Sequence, residues 1–139
     1  MKYPILYFST LLLVVILSFS CRLDRHSSDV LKQAEVLLEK HPDSALTLLN
    51  KVNSSSLKKY DNARYCLLMT KAFIKNAIPI VSDSLINIAI GYYKDSGDSI
   101  NKAEAYFYAG RVSQDMHDTK GAMAFFLKAL DSAGRDPLD

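Results

Sequence analysis

The sequence feature that most constrains the fold is the segment 103–132, AEAYFYAGRVSQDMHDTKGAMAFFLKALDS. Its apolar residues recur at helical spacing on both sides of a polar turn at 117–119. Two helices of about equal length that are joined by so short a turn fold back on each other. The segment therefore predicts an antiparallel helical hairpin.

Small and aromatic residues in this segment follow a fixed spacing. With Ala103 as position 1, aromatic residues fall at positions 4 and 24 and small residues at positions 8, 20 and 27, namely Tyr106, Phe126, Gly110, Ala122 and Ala129. Gly110 and Ala122 would let the helices approach where they cross, while Tyr106 and Phe126 fill the wider ends. The pattern resembles the 34-residue tetratricopeptide repeat, although Ala109 and Ser113 depart from it. The alternative is an ordinary helical hairpin.

Helical periodicity continues through the rest of the chain. Pro42, Pro79 and Gly97 are placed as breaks between helices, and Ser28 or Asp29 can cap the first one. The apolar positions form four further stripes: Val30, Leu31, Ala34, Leu37 and Leu38; Ala45, Leu46, Leu49 and Val52; Ala63, Leu67, Leu68, Ala72 and Phe73; and Leu85, Ile88, Ala89 and Tyr92.

The helix predicted from Leu57 to Asn76 is apolar around most of its circumference, so we expect it to be the most buried. Together with the segment 103–132, the chain has six predicted helices in three hairpins. Stacked hairpins need about three units to cover each other's apolar faces. We therefore predict an all-α, tetratricopeptide-like solenoid of about three hairpins over residues 29–136.

The start of the chain resembles a bacterial lipoprotein leader. One lysine precedes an apolar run that continues to Phe19, and a serine stands directly before Cys21. Ser18 and Phe19 depart from the usual cleavage box. We predict a signal peptide at 1–20, a lipidated Cys21 that anchors the protein to the membrane, and a tether at 21–28. The alternative is an uncleaved N-terminal membrane helix.

The charge balance gives no long-range attraction to nucleic acid. The chain of 139 residues has a formal net charge of +2, and 16 basic and 15 acidic side chains remain when Lys2 of the leader is set aside. A nucleic-acid-binding domain normally shows a strongly basic face. We expect no nucleic-acid partner for this segment.

No sequence motif indicates catalysis. His26, His41 and His117 lack the spacing to a second ligand that a metal site needs, and there is no phosphate loop or nucleophile elbow. The segment 95–98 lacks the glycine and glutamate of a calcium loop, so we interpret it as a turn. Cys66 has no disulfide partner if Cys21 is lipidated, and we expect it to be a buried small hydrophobe. Neither enzyme activity nor a cofactor is expected.

Four segments carry a further resemblance, and they cover most of the chain after the leader: PDSAL from Pro42, ARY from Ala63, SDSLI from Ser82, and AY from Ala105 with Gly110-Arg111. Their order resembles the tetratricopeptide-repeat lipoproteins and membrane-anchored regulators of Bacteroidetes. The resemblance implies a periplasm-facing scaffold in the cell envelope that binds a protein or peptide partner. The alternatives are the truncated sensory part of a transcriptional regulator and an outer-membrane assembly lipoprotein.

In this repeat family the first helix of each hairpin lines a concave surface at positions 2, 5, 9 and 12. On the third hairpin these positions are Glu104, Phe107, Arg111 and Gln114; on the second, with Thr70 at the small-residue position, they are Arg64, Leu67, Lys71 and Ile74. Arg64, Lys71 and Lys75 lie along one line of their helix. Together with Arg111 they predict a basic strip for the carboxylates of a peptide ligand. The alternative is an ordinary solvated face.

The last helix carries more large apolar residues than one buried face holds. Phe125, Phe126, Leu127 and Leu130 cannot all point inward, and each side chain left bare forgoes about 1.5–3 kcal/mol of burial. We expect that the chain is truncated, or that a partner or a second copy covers this uncapped C-terminal helix. Self-association through this helix is one of the outcomes that the sequence suggests.

Overall fold

The computed structural model describes residues 27–134, and the regular secondary structure of these residues is helical, with no β-strand. Helix α1 covers residues 27–40. A short 3₁₀ turn, Ser54–Ser56, separates the second and third helices. The remaining helices are α2 (Pro42–Leu49), α3 (Lys59–Lys75), α4 (Ser84–Tyr93), α5 (Ser99–Asp115) and α6 (Thr119–Ala133). The predicted all-α class is confirmed for the described residues.

The helix order agrees with the prediction, and the boundaries differ by a few residues. Helix α3 lies within the predicted range from Leu57 to Asn76. Residues 27 and 28 already belong to α1, so neither Ser28 nor Asp29 is its cap and the predicted tether is too long at this end. The predicted signal peptide at 1–20, Cys21 and the rest of the tether lie outside the described residues.

Helix α3 is the centre of the fold, as its apolar circumference predicts. All residues from Cys66 to Ala72 are buried. One side of α3 packs with α4 and α5 in a first core cluster, and the other side packs with α1 and α2 in a second. Burial of each leucine in these clusters stabilises the fold by about 1.5–3 kcal/mol. Helix α3 therefore joins the two halves of the described chain.

The predicted buried stripe of α4 is wrong by about one residue. Ile86, Ala89 and Tyr93 are buried, whereas Ile88 is 45% exposed. The segment 85–90 contains only one polar residue, so its periodicity does not define a single face. The position of α4 against both α3 and α5 selects the face that is buried.

The turn between α5 and α6 forms where the sequence predicts it. His117 has a φ of 61°, the left-handed conformation that reverses the chain. The side chain of Asp118 caps α6 because its Oδ1 accepts a hydrogen bond of 2.9 Å from the backbone N–H of Gly121. Among helices α2 to α6, these two make the most extensive contact.

Close packing of α5 on α6 depends on a glycine, although Phe126 packs at a different place in the hairpin than the sequence predicts. A Cβ atom at Gly110 would collide with the ring of Phe126. Phe126 therefore packs at the close approach itself and not at a wider end of the hairpin, which corrects the prediction. Tyr106 stacks on Phe125 with ring centroids 6.4 Å apart, and Ala122 is buried as expected.

The outer side of α6 is apolar and exposed. Leu127 is 60% exposed and Leu130 is 70% exposed, while only Ala122, Ala129 and Ser132 of this helix are buried. The expectation that part of the apolar surface of α6 stays bare is confirmed. No helix within residues 27–134 is both long and apolar enough to cross a membrane.

Candidate binding surface

The three cations of the predicted basic strip all lie on α3, and each has a carboxylate partner within the protein. Arg64 pairs with Glu35 of α1. Lys75 donates a hydrogen bond of 3.0 Å to Glu39 of the same helix α1. These two contacts hold α3 against α1, since both cations face the preceding hairpin.

Lys71 is paired in the opposite direction, with α5. Its Nζ donates to both carboxylate oxygens of Glu104, at 2.9 and 3.1 Å. Lys71 is only 6% exposed, and its Nζ also lies 5.6 Å from the centroid of the Tyr108 ring. Burial raises the pKa of Tyr108, so the ring stays neutral beside the ammonium group.

These ion pairs correct the predicted basic strip. The spacing of Arg64, Lys71 and Lys75 suggests an unpaired cationic surface, but the structure joins each of them to a glutamate of a neighbouring helix. The pairing with Lys75, through a hydrogen bond and its charge, lowers the pKa of Glu39. A role for these cations in ligand binding stays a prediction, and a ligand carboxylate would have to displace an internal partner.

The inner surface of α5 is different because its side chains are open to solvent. Phe107 is 44% exposed, and Arg111 and Gln114 are exposed as well. Arg111 has no carboxylate within ion-pair distance among residues 27–134. Glu104 belongs to this surface by position, but its carboxylate is held by Lys71.

A groove of about 560 Å³ runs between α5 and α6 beside these residues. We call it the α5–α6 groove, and it is lined by Ala103, Glu104, Phe107, Tyr108, Phe126, Ala129, Leu130 and Ala133. The small side chains of the three alanines leave the groove open, and the aromatic and leucine side chains form its apolar walls. Glu104 supplies the charged group of the lining, and Arg111 lies one helical turn beyond Phe107 on the same side of α5.

Sequence reasoning found part of this surface and missed the rest. Repeat positions predict that Glu104, Phe107, Arg111 and Gln114 line a surface, and the composition of α6 predicts bare apolar residues on that helix. Neither pattern indicates that the two sets of residues form one groove. The signal was the alternation of small and large residues on the facing sides of α5 and α6, where Ala103 and Ala133 leave room beside Phe107 and Leu130.

The buried reactive groups lie elsewhere and are structural. Cys66 is buried as predicted, and burial raises the pKa of its thiol to about 11, so it stays protonated at neutral pH. Burial also raises the pKa of Tyr93, whose hydroxyl has no hydrogen-bond partner among the described residues. The described residues contain no group of three or more His, Cys, Asp or Glu side chains arranged to hold a metal ion.

Comparison with known proteins identifies no relative of this chain. No protein-family model matches the sequence, and neither a curated protein nor a solved structure matches the chain.

Proposed function

We propose that this protein is a membrane-anchored helical scaffold of the tetratricopeptide type that binds a protein or peptide partner through α5 and the α5–α6 groove. The anchor in this proposal is the predicted lipid on Cys21, and the predicted location is the periplasmic side of the cell envelope. The described domain would then act as an adaptor at the membrane surface.

Several features support the tetratricopeptide type. Successive helices pack against each other, and the first helices of the second and third hairpins, α3 and α5, also touch. Gly110 allows the close contact with Phe126 that the repeat spacing requires at its small-residue position. A hairpin array of this kind offers its helix faces as an extended binding surface.

The observation that carries the binding role is the exposed apolar groove next to a cation without a carboxylate partner among residues 27–134. Phe107, Leu130 and Arg111 are all accessible there. Contiguous exposed apolar surface on a soluble domain marks an interaction site. Aromatic and arginine side chains contribute most strongly to protein–protein binding energy.

Photo-crosslinking in the native cells tests this role. A photoreactive phenylalanine at Phe107, 44% exposed on α5, is compared with one at Ile88, 45% exposed on α4. We expect a discrete adduct with a second protein at position 107 and none at position 88. The same adducts at both positions, or none at 107 in a folded and membrane-bound protein, would remove the proposal.

The predicted anchor has its own test. The intact mass of the protein from the membrane fraction is measured beside a Cys21→Ala variant. A species that starts at Cys21 and carries acyl chains, lost in the variant, supports the lipoprotein. A species that keeps Met1 replaces it with the uncleaved N-terminal helix.

A further inference from the structure

The groove between the two helices of a hairpin is filled twice within the described chain. Leu68, Met69 and Ala72 of α3 pack in the core cluster with α1 and α2. Ala105, Ala109 and Val112 of α5 pack in the cluster with α3 and α4. In each case the filling element is the first helix of the next hairpin. The α5–α6 groove is the third of this series, and no helix within residues 27–134 occupies it.

An ion pair accompanies each filled groove, and its geometry recurs. A charged residue follows a buried residue in the middle of each first helix: Ala34-Glu35 in α1, Thr70-Lys71 in α3 and Gly110-Arg111 in α5. Glu35 pairs with Arg64 of α3, and Lys71 pairs with Glu104 of α5. Both partners are the sixth residue of the helix that fills the groove, since α3 begins at Lys59 and α5 at Ser99.

Two of the three ion pairs between helices of the described chain, Glu35–Arg64 and Lys71–Glu104, have this register, and they place opposite charges on the first helix of the hairpin. The third, Glu39–Lys75, lies further along α1 and α3. The sign of the partner therefore follows the sign of the receiving residue. A negative Glu35 receives Arg64, and a positive Lys71 receives Glu104. Arg111 is the receiving residue of the third groove, and it is exposed without a carboxylate partner among the described residues. A helix that fills this groove in the same register would place its sixth residue opposite Arg111.

We propose that the α5–α6 groove binds an amphipathic α-helix of a partner protein that carries Asp or Glu in its second turn, paired with Arg111. Apolar side chains of this helix would cover Phe107, Phe126 and Leu130 in place of water. The carboxylate fixes the register and the direction of the bound helix, because a helix that runs the other way would bring a different residue to Arg111. The inference rests on the proposed scaffold function and specifies the chemistry of its partner.

The chain supplies a probe for this groove in the sequence of α5 itself. A capped peptide with the sequence of residues 99–115, SINKAEAYFYAGRVSQD, has a glutamate as its sixth residue. We expect it to bind the full-length chain, purified in detergent, in a fluorescence anisotropy titration. Arg111→Glu should weaken binding about fivefold, as expected for an exposed charge pair at a helix contact. Lys120→Glu makes the same charge change on exposed α6 surface and should leave the affinity unchanged.

A charge exchange then tests the pairing itself. A peptide with the Glu104→Lys change should bind poorly to the unchanged protein and regain its affinity on the Arg111→Glu variant. Equal effects of Arg111→Glu and Lys120→Glu would overturn the proposal, since they indicate general electrostatics. An affinity insensitive to Arg111 would also overturn it, because the peptide would then be displacing α5 from its own groove.

The failure of this inference is distinguishable from failure of the scaffold function. One possible result is a crosslinked adduct at position 107 in cells together with a peptide affinity that does not depend on Arg111. That result would support the scaffold function and contradict the proposed register of the bound helix. Sedimentation of the full-length chain in the same detergent tests whether the protein self-associates. Oligomers that prevent peptide binding would overturn the partner helix and show that a second copy of the chain occupies the groove.

Discussion

Helices α3 and α5 carry corresponding residues 40 positions apart, and these residues have opposite surroundings. Leu67 is 2% exposed and Phe107 is 44% exposed; Lys71 is buried in an ion pair and Arg111 is open to solvent. The difference arises because α5 covers the inner side of α3, while no helix among the described residues covers that of α5. Among the described residues, therefore, the same sequence position is buried between helices in α3 and exposed to solvent in α5.

The largest predicted effect compares Leu67 with Phe107. Leu67→Ala removes a fully buried side chain from the core of α3, α4 and α5, and we expect a loss of about 2–5 kcal/mol in the free energy of unfolding. Phe107→Ala removes a half-exposed ring and should cost less than about 1.5 kcal/mol. Urea denaturation followed by circular dichroism measures both values. Equal losses would contradict the distinction between the two helices.

The next effect concerns the close approach that shapes the groove. Gly110→Ala places a Cβ against the Phe126 ring, and we expect a net loss of about 1–2 kcal/mol from overpacking. Gly91→Ala is the matched control, because it lies in helix α4 and its added Cβ would meet no atom within 4 Å beyond its own chain neighbours and helix backbone. It should stabilise the protein by about 0.5–1 kcal/mol through helix propensity. Stabilisation by both variants would show that α5 and α6 are not in close contact at Gly110.

A smaller effect separates the two cations. Lys71→Ala removes a buried stem and the pair with Glu104, which is itself 40% exposed and can be hydrated, so we expect a loss of about 1–2 kcal/mol. Arg111→Ala should change stability by less than about 0.5 kcal/mol. Thermal unfolding of the two variants checks this order. An Arg111 variant as destabilised as the Lys71 variant would mean that Arg111 already has a structural partner.

The smallest effect is a shift in one titration. Lys75 lowers the pKa of Glu39 through a hydrogen bond and its charge, so Lys75→Ala should raise that pKa toward the ordinary value of a glutamate. A folded-state pKa below the unfolded one stabilises the fold above the unfolded pKa, and this contribution is lost as the pH falls through the folded pKa. Carboxyl NMR titration of both proteins measures the shift. An unchanged pKa would show that the pair does not form in solution.

Much of the fold was predictable because helix periods, prolines and polar turns are local signals. The segment 103–132 and the buried α3 illustrate this, since each has a pattern that fits one structure. The buried face of α4 was not predictable, because nearly all residues around Ile86 and Ile88 are apolar and the neighbouring helices make the choice. Tertiary contacts decide between such faces.

The candidate site was predictable only in part for a related reason. Repeat positions identify which residues lie on the inner side of α3 and α5, including Lys71 and Arg111. They do not show which charges meet across helices, because Glu35, Glu39 and Glu104 are separated from their partners by 29 to 36 residues. Only the three-dimensional structure shows that each cation of the predicted strip on α3 is paired with a glutamate of another helix.

The most direct test of the account is an NMR titration of the isotope-labelled full-length chain in detergent with the peptide of residues 99–115. If the peptide binds in the α5–α6 groove, the largest chemical-shift changes fall on Phe107, Arg111 and Leu130, while Arg64, Lys71 and Lys75 keep their resonances. Changes centred on α3 and its three cations, with α5 and α6 unaffected, would contradict the claim that the open end of the helical stack is the binding surface.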